Sequence, residues 1–384
     1  MANWGPLENR YGNKSPRKML ALDGGGIRGI ITLEYLAKIE QDLKHKLGKD
    51  DRFRLCDYFD YIAGTSTGAI IAAGLSLGMS VSELLNFYVK EGKKMFDKNF
   101  ILKRWKAFYG DGEILEKLKE TFGEDTDLCL KDGKYKSLLM IVTMNRTTDS
   151  PWPISNNPFA KYNDESRQDC NCRIKLFQLV RASAAAPVYF PPETLQWDPN
   201  NPDKTFVFVD GGTTPYNNPS FLLYKMATQP GFRLNWEIGE DKLLLVSVGT
   251  GSSPTQGEYG NLLNTLQALP DNLMYAASVD QDINCRVIGR CTYGAAIDRE
   301  LGDMIPRDNN GHIIPLSQDL KKHFLYVRYN VELTQSGMRD IGINDLDPEP
   351  LRQLDAVKNI KELKKVGSFA ANKHVDLAHF GSFV

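Results

Sequence analysis

Three times along this chain a short apolar run stops at a glycine-bearing turn. Lys18 to Asp23 leads into Gly24-Gly25-Gly26-Ile27-Arg28-Gly29, Phe59 to Ala63 into Gly64-Thr65-Ser66-Thr67-Gly68, and Phe206 to Val209 into Asp210-Gly211-Gly212. Runs too short for a helix and followed by a turn read as strands, and strands alternating with helical periods build an open α/β sheet. In such a parallel sheet the strand carboxyl ends share one edge, so the spacing predicts that all three turns converge there. The helix after the first turn is plain, with Ile30, Leu33, Leu36, Ile39, Leu43 and Leu47 at three-to-four spacing. Ala69 to Leu77 is the helix after the second.

The remaining elements are consistent with one α/β architecture. Ser137 to Met144 is so continuously apolar that both of its faces are covered, as parallel strands are. Leu243 to Val248 is a further strand, and Phe324 to Val331 another. Helices are expected from Ser82, over Asp111 to Phe122, Ile174 to Ala186, Asn261 to Arg286, and Pro348 to Lys365. From Asn145 to Asn171 the chain is rich in Asn, Pro, Ser and Asp without a period, and reads as an ordered loop.

Bulk properties exclude several classes. With 384 residues, 47 Lys and Arg against 48 Asp and Glu, the chain can bury a large core and carries no overall field that would recruit a nucleic-acid polymer. Six Cys without a CxxC pair read as free thiols in a reducing compartment, and Cys170-Asn171-Cys172 lacks the second half a zinc site needs. Met1 to Lys18 has no apolar core, so no secretory signal is expected and cytoplasmic residence is. Tyr61 to Val81 is uncharged but holds Gly64, Gly68, Gly74 and Gly78; it reads as strand end, serine elbow and buried helix rather than a membrane span.

The chemistry follows from the turns. A Ser on a sharp strand-to-helix turn needs small neighbours, as Gly64 and Gly68 flank Ser66. A glycine turn opening a helix leaves backbone N–H groups free beside the positive end of the helix, which suits an oxyanion. A hydroxyl is a weak nucleophile until a base takes its proton, and Asp210, at the end of a nearby strand, is the candidate. Two competing readings are weaker. The first turn also fits G-x-G-x-x-G with Asp50 or Asp51 further on, but Gly48 to Arg52 is charged throughout and is no strand end. A Ser-His-Asp hydrolase would keep this chain order, yet His45, His312, His323, His374 and His379 each lack a turn after an apolar strand; a Ser/Asp dyad without histidine is the better reading.

The blocks Asp23–Gly29, Gly64–Gly68, Arg181–Pro192 and Asp210–Gly212, in this order, resemble the patatin-like phospholipase family over about residues 18 to 250. The resemblance implies a three-layer α/β/α fold with a central, mostly parallel sheet and a nucleophile elbow. It implies a lipid acyl hydrolase with Ser66 as nucleophile, Asp210 as general base, and an oxyanion hole from Gly24, Gly25, Gly26 and Arg28. Gly29, Gly64, Gly68, Gly211 and Gly212 would support these motifs, and neither metal nor organic cofactor is implied. Arg28 either supports the turn, faces substrate or pairs with a nearby carboxylate. A catalytically silent storage or binding protein on the same fold is the alternative.

The chain then divides into an extension over 1–17, a catalytic core over 18–250, and a C-terminal part over 251–384 packed on that core as a regulatory or lid element. Thr147 to Asn157 is similar to the patatin-like effectors of bacterial anti-phage signalling, which cyclic oligonucleotides switch on to degrade membrane phospholipid. The implied partners are therefore membrane phospholipid and a cyclic oligonucleotide, with a homo-oligomer left open and action peripheral to the inner membrane. Arg286, Arg290 and Arg307 are candidates to meet a nucleotide phosphate, against the reading that each is simply solvated. Lys93 to Phe108 interleaves basic and aromatic residues, as a membrane-docking segment would, against the reading of an ordinary surface helix with a buried aromatic face.

Overall fold

A computed structural model describes residues 4–96, 112–186, 191–198, 200–252, 262–298, 300–314 and 321–384, without the side chains of 94, 112–114 and 262–271. Among the described residues nine strands form one sheet: β1 (Arg17–Leu22), β2 (Tyr61–Thr65), β3 (Leu138–Asn145), β4 (Ser150–Ser155), β5 (Glu193–Gln196), β6 (Thr205–Asp210), β7 (Leu243–Val248), β8 (Arg290–Tyr293) and β9 (Leu325–Tyr329). Their order is β5-β6-β3-β2-β1-β7-β9-β8, with β4 paired to β3. The sheet is mostly parallel, as expected: β1 runs with β2 and β7, β2 with β3, and β9 with β7 and β8.

Helices pack around this sheet: α1 (Gly29–Lys46), α2 (Thr67–Ser76), α3 (Val81–Phe96), α4 (Gly112–Phe122), α5 (Leu176–Ser183), α6 (Ser220–Thr228), α7 (Leu262–Ile288) and α8 (Ile360–His374). α2 is buried at every position. That is why its uncharged sequence could pass for a membrane segment, although it has only 10 residues and no described helix is long and apolar enough to span. Its glycines serve packing: a Cβ on Gly74 would lie 2.6 Å from a Leu84 methyl.

The structure departs from the sequence reading in three places that matter. The expected loop after Asn145 contains β4, whose two prolines, Pro151 and Pro153, mask a strand that pairs with β3. Pro348 and Pro350 delay the last long helix, so that Glu349–Arg352 is a 3-10 turn and the α-helix starts at Ile360.

The third departure concerns β6, which is antiparallel to β3, with Thr143 opposite Asp210 and Asn145 opposite Phe208. β2 pairs with β3 only as far as Thr65 opposite Val142, while β4 covers residues 140 to 145 of β3. A strand has two edges, so β2 and β6 must share the other one, end to end. The turn after β2 and the last residue of β6 therefore meet head-on at Val142 and Thr143. Convergence holds, but it comes from two opposed strands rather than one common parallel edge.

Residues after 250 are not set apart from this frame. β8 and β9 extend the sheet beside β7, and α8 packs on α1.

Candidate active site

Ser66 joins β2 to α2 with φ 54° and ψ −121°, a conformation that a side-chain-bearing residue occupies at a cost of about 1–3 kcal/mol. The flanking glycines make it feasible: a Cβ on Gly64 would lie 2.0 Å from the Gly68 carbonyl oxygen, and one on Gly68 2.3 Å from that of Leu22. Ser66 Oγ donates to Asp210 Oδ2 at 2.6 Å. The other carboxylate oxygen of Asp210 accepts from the Gly212 amide at 2.6 Å. Gly211 lets the chain turn away between them, since a Cβ there would lie 2.3 Å from the Val142 carbonyl oxygen.

Burial pushes the Asp210 carboxyl up to about 6, against the opposing pull of its hydrogen bonds from Ser66 and Gly212. A carboxylate near neutrality can both take a proton and return it. The sequence placed Asp210 as the base, and the geometry brings it to the serine. The five histidines lie elsewhere. His323 bonds Tyr224 at 2.6 Å, His374 bonds Tyr35 at 2.7 Å and His379 bonds Tyr329 at 3.0 Å. His45 is exposed and His312 sits beside Asp308. The tail carrying His374 and His379 is thus packed on the core.

The glycine turn lies against the nucleophile, for a Cβ on Gly24 would come within 3.2 Å of Ser66 Cβ. Its N–H groups are not equivalent. Those of Asp23, Gly24 and Ile27 donate to the carbonyls of Val248, Asn217 and Leu354 at 3.1, 3.0 and 3.0 Å. The amides of Gly25 and Gly26 make no hydrogen bond among the described residues, so they are the donors left for an oxyanion, with the N-terminus of α1 behind them. The Gly24 carbonyl is fixed by Thr250 Oγ1 at 2.9 Å and Asn217 Nδ2 at 3.5 Å.

Behind the turn, Asp23 takes two bonds from Arg328 at 2.8 and 2.6 Å, and Arg328 also reaches Ser247 Oγ at 2.7 Å. Arg28 is buried, with Nε 3.5 Å from the Gly25 carbonyl oxygen, and faces a cavity of about 170 Å³ that also meets Asn217, Arg286 and Arg352. Sequence reasoning missed this clamp. The signal for Arg328 was a lone charge in an otherwise apolar strand.

The three arginines offered for a nucleotide phosphate are all engaged. Arg286 is buried in a fork with Asp282 and also donates to the Ala295 and Asp303 carbonyls, so it is neither solvated nor extended toward solvent. Arg290 pairs with Glu240 and Arg307 with Asp303. Of the proposed docking segment, Met95 and Phe96 are buried, while Lys98, Phe100, Lys103, Arg104, Trp105, Lys106 and Phe108 lie outside the described residues. Asp50 and Asp51 are exposed at a turn beyond α1 and end no strand. Cys170 and Cys172 are buried free thiols.

Residues 20–223 match the family model described as patatin-like phospholipase. Among curated proteins, the chain is 32% identical over 220 residues to a cGAMP-activated phospholipase of Vibrio cholerae serotype O1, covering 54% of this chain and 57% of that one. It is 29% identical over 248 residues to Patatin-17 of Solanum cardiophyllum, covering 61% and 60%. The chain thus spans less than two thirds of the length of these relatives. A solved structure of human GIVD cytosolic phospholipase A2 overlays with a TM-score of 0.45 at 12% identity, over 95% of this chain and 60% of that one, too loosely to bear on the chemistry.

Proposed function

This chain belongs to the patatin-like phospholipase family, and from that premise we propose that it hydrolyses the carboxylic esters of glycerophospholipids through an acyl-enzyme on Ser66. The observation that carries the reading is the 2.6 Å contact of Ser66 Oγ with a buried Asp210, beside two unengaged glycine amides. Asp210 takes the hydroxyl proton as Oγ bonds to the ester carbonyl carbon. The carbonyl oxygen, now an anion, accepts from Gly25 and Gly26. The intermediate collapses, the C–O bond to the glycerol breaks, and Asp210 returns its proton to the departing alcohol. Water then attacks the acyl-Ser66 ester by the same route, with Asp210 again as base, and releases the fatty acid.

Substrate in this reading is membrane phospholipid, met peripherally at the inner face of the membrane. Likeness to a cGAMP-activated phospholipase supports a cyclic nucleotide as activator, and thereby a role in defence signalling. Residues 251–384 are the part in which a regulator would act, because they hold the oxyanion turn through Arg328 and Leu354.

The test is fatty-acid release from phospholipid vesicles by the full chain, with and without a panel of cyclic nucleotides. Release that vanishes in Ser66→Ala and in Asp210→Ala, both folded, supports the dyad. Release that survives Asp210→Ala but is lost on substitution of a histidine contradicts it. Activity equal with every nucleotide and with none removes the regulatory part alone.

A further inference from the structure

Ser66 and Asp210 arrive from opposed strands, which β3 registers at Val142 and Thr143, but the strand pairing stops at Thr65 and leaves the Ser66 amide itself unpaired with β3. One short segment touches both. Ser183, the last residue of α5, is fully buried, and its Oγ accepts the Ser66 amide at 3.0 Å. Two residues on, the Ala185 carbonyl accepts the Asp210 amide at 2.9 Å. The Ser183 hydroxyl proton goes to the Val142 carbonyl of β3 at 2.7 Å, the oxygen over which Gly211 passes.

A serine near a helix end usually bonds back to a carbonyl of its own helix. Ser183 instead donates across to β3 and accepts from the elbow. Its hydroxyl therefore links β3 to the elbow, and the Ala184-Ala185 step fixes Asp210 at a set distance from it. The nucleophile's amide is turned toward Ser183, which holds Ser66 in its left-handed conformation and aims Oγ at Oδ2.

We propose that Ser183 is a positioning residue for the Ser66–Asp210 pair, acting through the Ser66 amide and the Val142 carbonyl. The proposal rests on the reading of Ser66 and Asp210 as nucleophile and base. Ser183 touches neither the ester nor the transferred proton. Without its hydroxyl, the Ser66 amide and the Val142 carbonyl both lose a partner, and the elbow relaxes while the substrate-binding surface stays as it is. Misplacement on this scale acts on the chemical step, so Ser183→Ala should lower kcat by about 10- to 100-fold with KM changed less than about twofold.

The experiment pairs hydrolysis of p-nitrophenyl butyrate with the rate at which a fluorophosphonate probe labels the enzyme, using the full chain and variants shown to be folded by circular dichroism. Ser183→Ala should slow labelling by the same factor as kcat, and Ser183→Thr, which keeps the hydroxyl, should recover most of both. Should Ser183→Ala not fold, Ser183→Cys, of similar shape and a weaker hydrogen-bonding group, takes its place with the same expected direction. A folded variant lacking the hydroxyl that labels at the wild-type rate overturns the proposal, as does a loss carried by KM alone. Wild-type enzyme that fails to label would instead overturn the underlying reading of Ser66.

Discussion

The two halves of the candidate machinery are held by different parts of the chain. Ser66 and Asp210 are fixed by Val142, Ser183, Ala185 and Gly212, all within the segment that matches the family model. The oxyanion turn takes Asn217 from that segment, but Val248, Thr250, Arg328 and Leu354 from beyond it. The matched segment thus carries Ser66 and Asp210, whereas the glycine turn beside them is held largely by residues that follow that segment. Residues after 250 touch the turn through the Arg328–Asp23 pair and the bond from the Ile27 amide to the Leu354 carbonyl, and neither contact includes Ser66.

The largest effect should come from the first half. Ser66→Ala and Asp210→Ala should each lower ester turnover by about 10⁴-fold or more in folded protein, because nucleophile and base act as a unit. Measurement of kcat on a soluble ester checks this, and a residual rate shared by both variants would report what the turn supplies alone.

Next comes the clamp. Arg328→Met leaves Asp23 buried and unpaired, which should cost about 3–5 kcal/mol in urea unfolding. Asp23→Asn combined with Arg328→Met should recover a good part of that loss, and a single variant as stable as wild type would show the turn is anchored some other way. Gly26→Ala attacks the donors directly: φ is +58° and the new Cβ would meet the Leu354 carbonyl oxygen at 2.3 Å. Its kcat should fall by about 10²- to 10³-fold, as when an oxyanion donor is lost.

The smallest effect separates function from stability at Asp210. Its carboxyl rises from the ordinary 3.8 to about 6 on folding, so the unfolded chain ionises first and the fold loses stability as pH climbs between those values. Asp210→Asn removes that penalty. It should be inactive yet up to about 3 kcal/mol more stable than wild type above pH 6, with the gap closing toward pH 4. Urea midpoints across this range check the sign, and kcat/KM of wild type should fall as pH drops through about 6.

Much of the first half was legible in the sequence, and little of the second. Glycines at 64, 68 and 211 are forced by close backbone approach, which leaves a mark in composition. The direction of β6 leaves none, because Phe206 to Val209 is equally apolar whichever way it pairs. Asn217, Thr250 and Leu354 act largely through main-chain groups or short polar side chains, and their distance along the chain from Gly24 hides them. Ser183 falls in a run of small residues within the expected helix over Ile174 to Ala186, and nothing local shows that its hydroxyl reaches β3. Arg328 was missed as well, although it left a mark, a charge where the strand pattern asks for an apolar residue.

The central claim is that Ser66 is an activated nucleophile with Asp210 as its base. Treatment of the folded chain with a fluorophosphonate probe, followed by mass mapping of the adduct, tests it most directly. The account predicts one adduct, on Ser66, that forms faster as pH rises through about 6 and is lost in Asp210→Ala. An adduct on another residue, or labelling of Ser66 undiminished without Asp210, would contradict it.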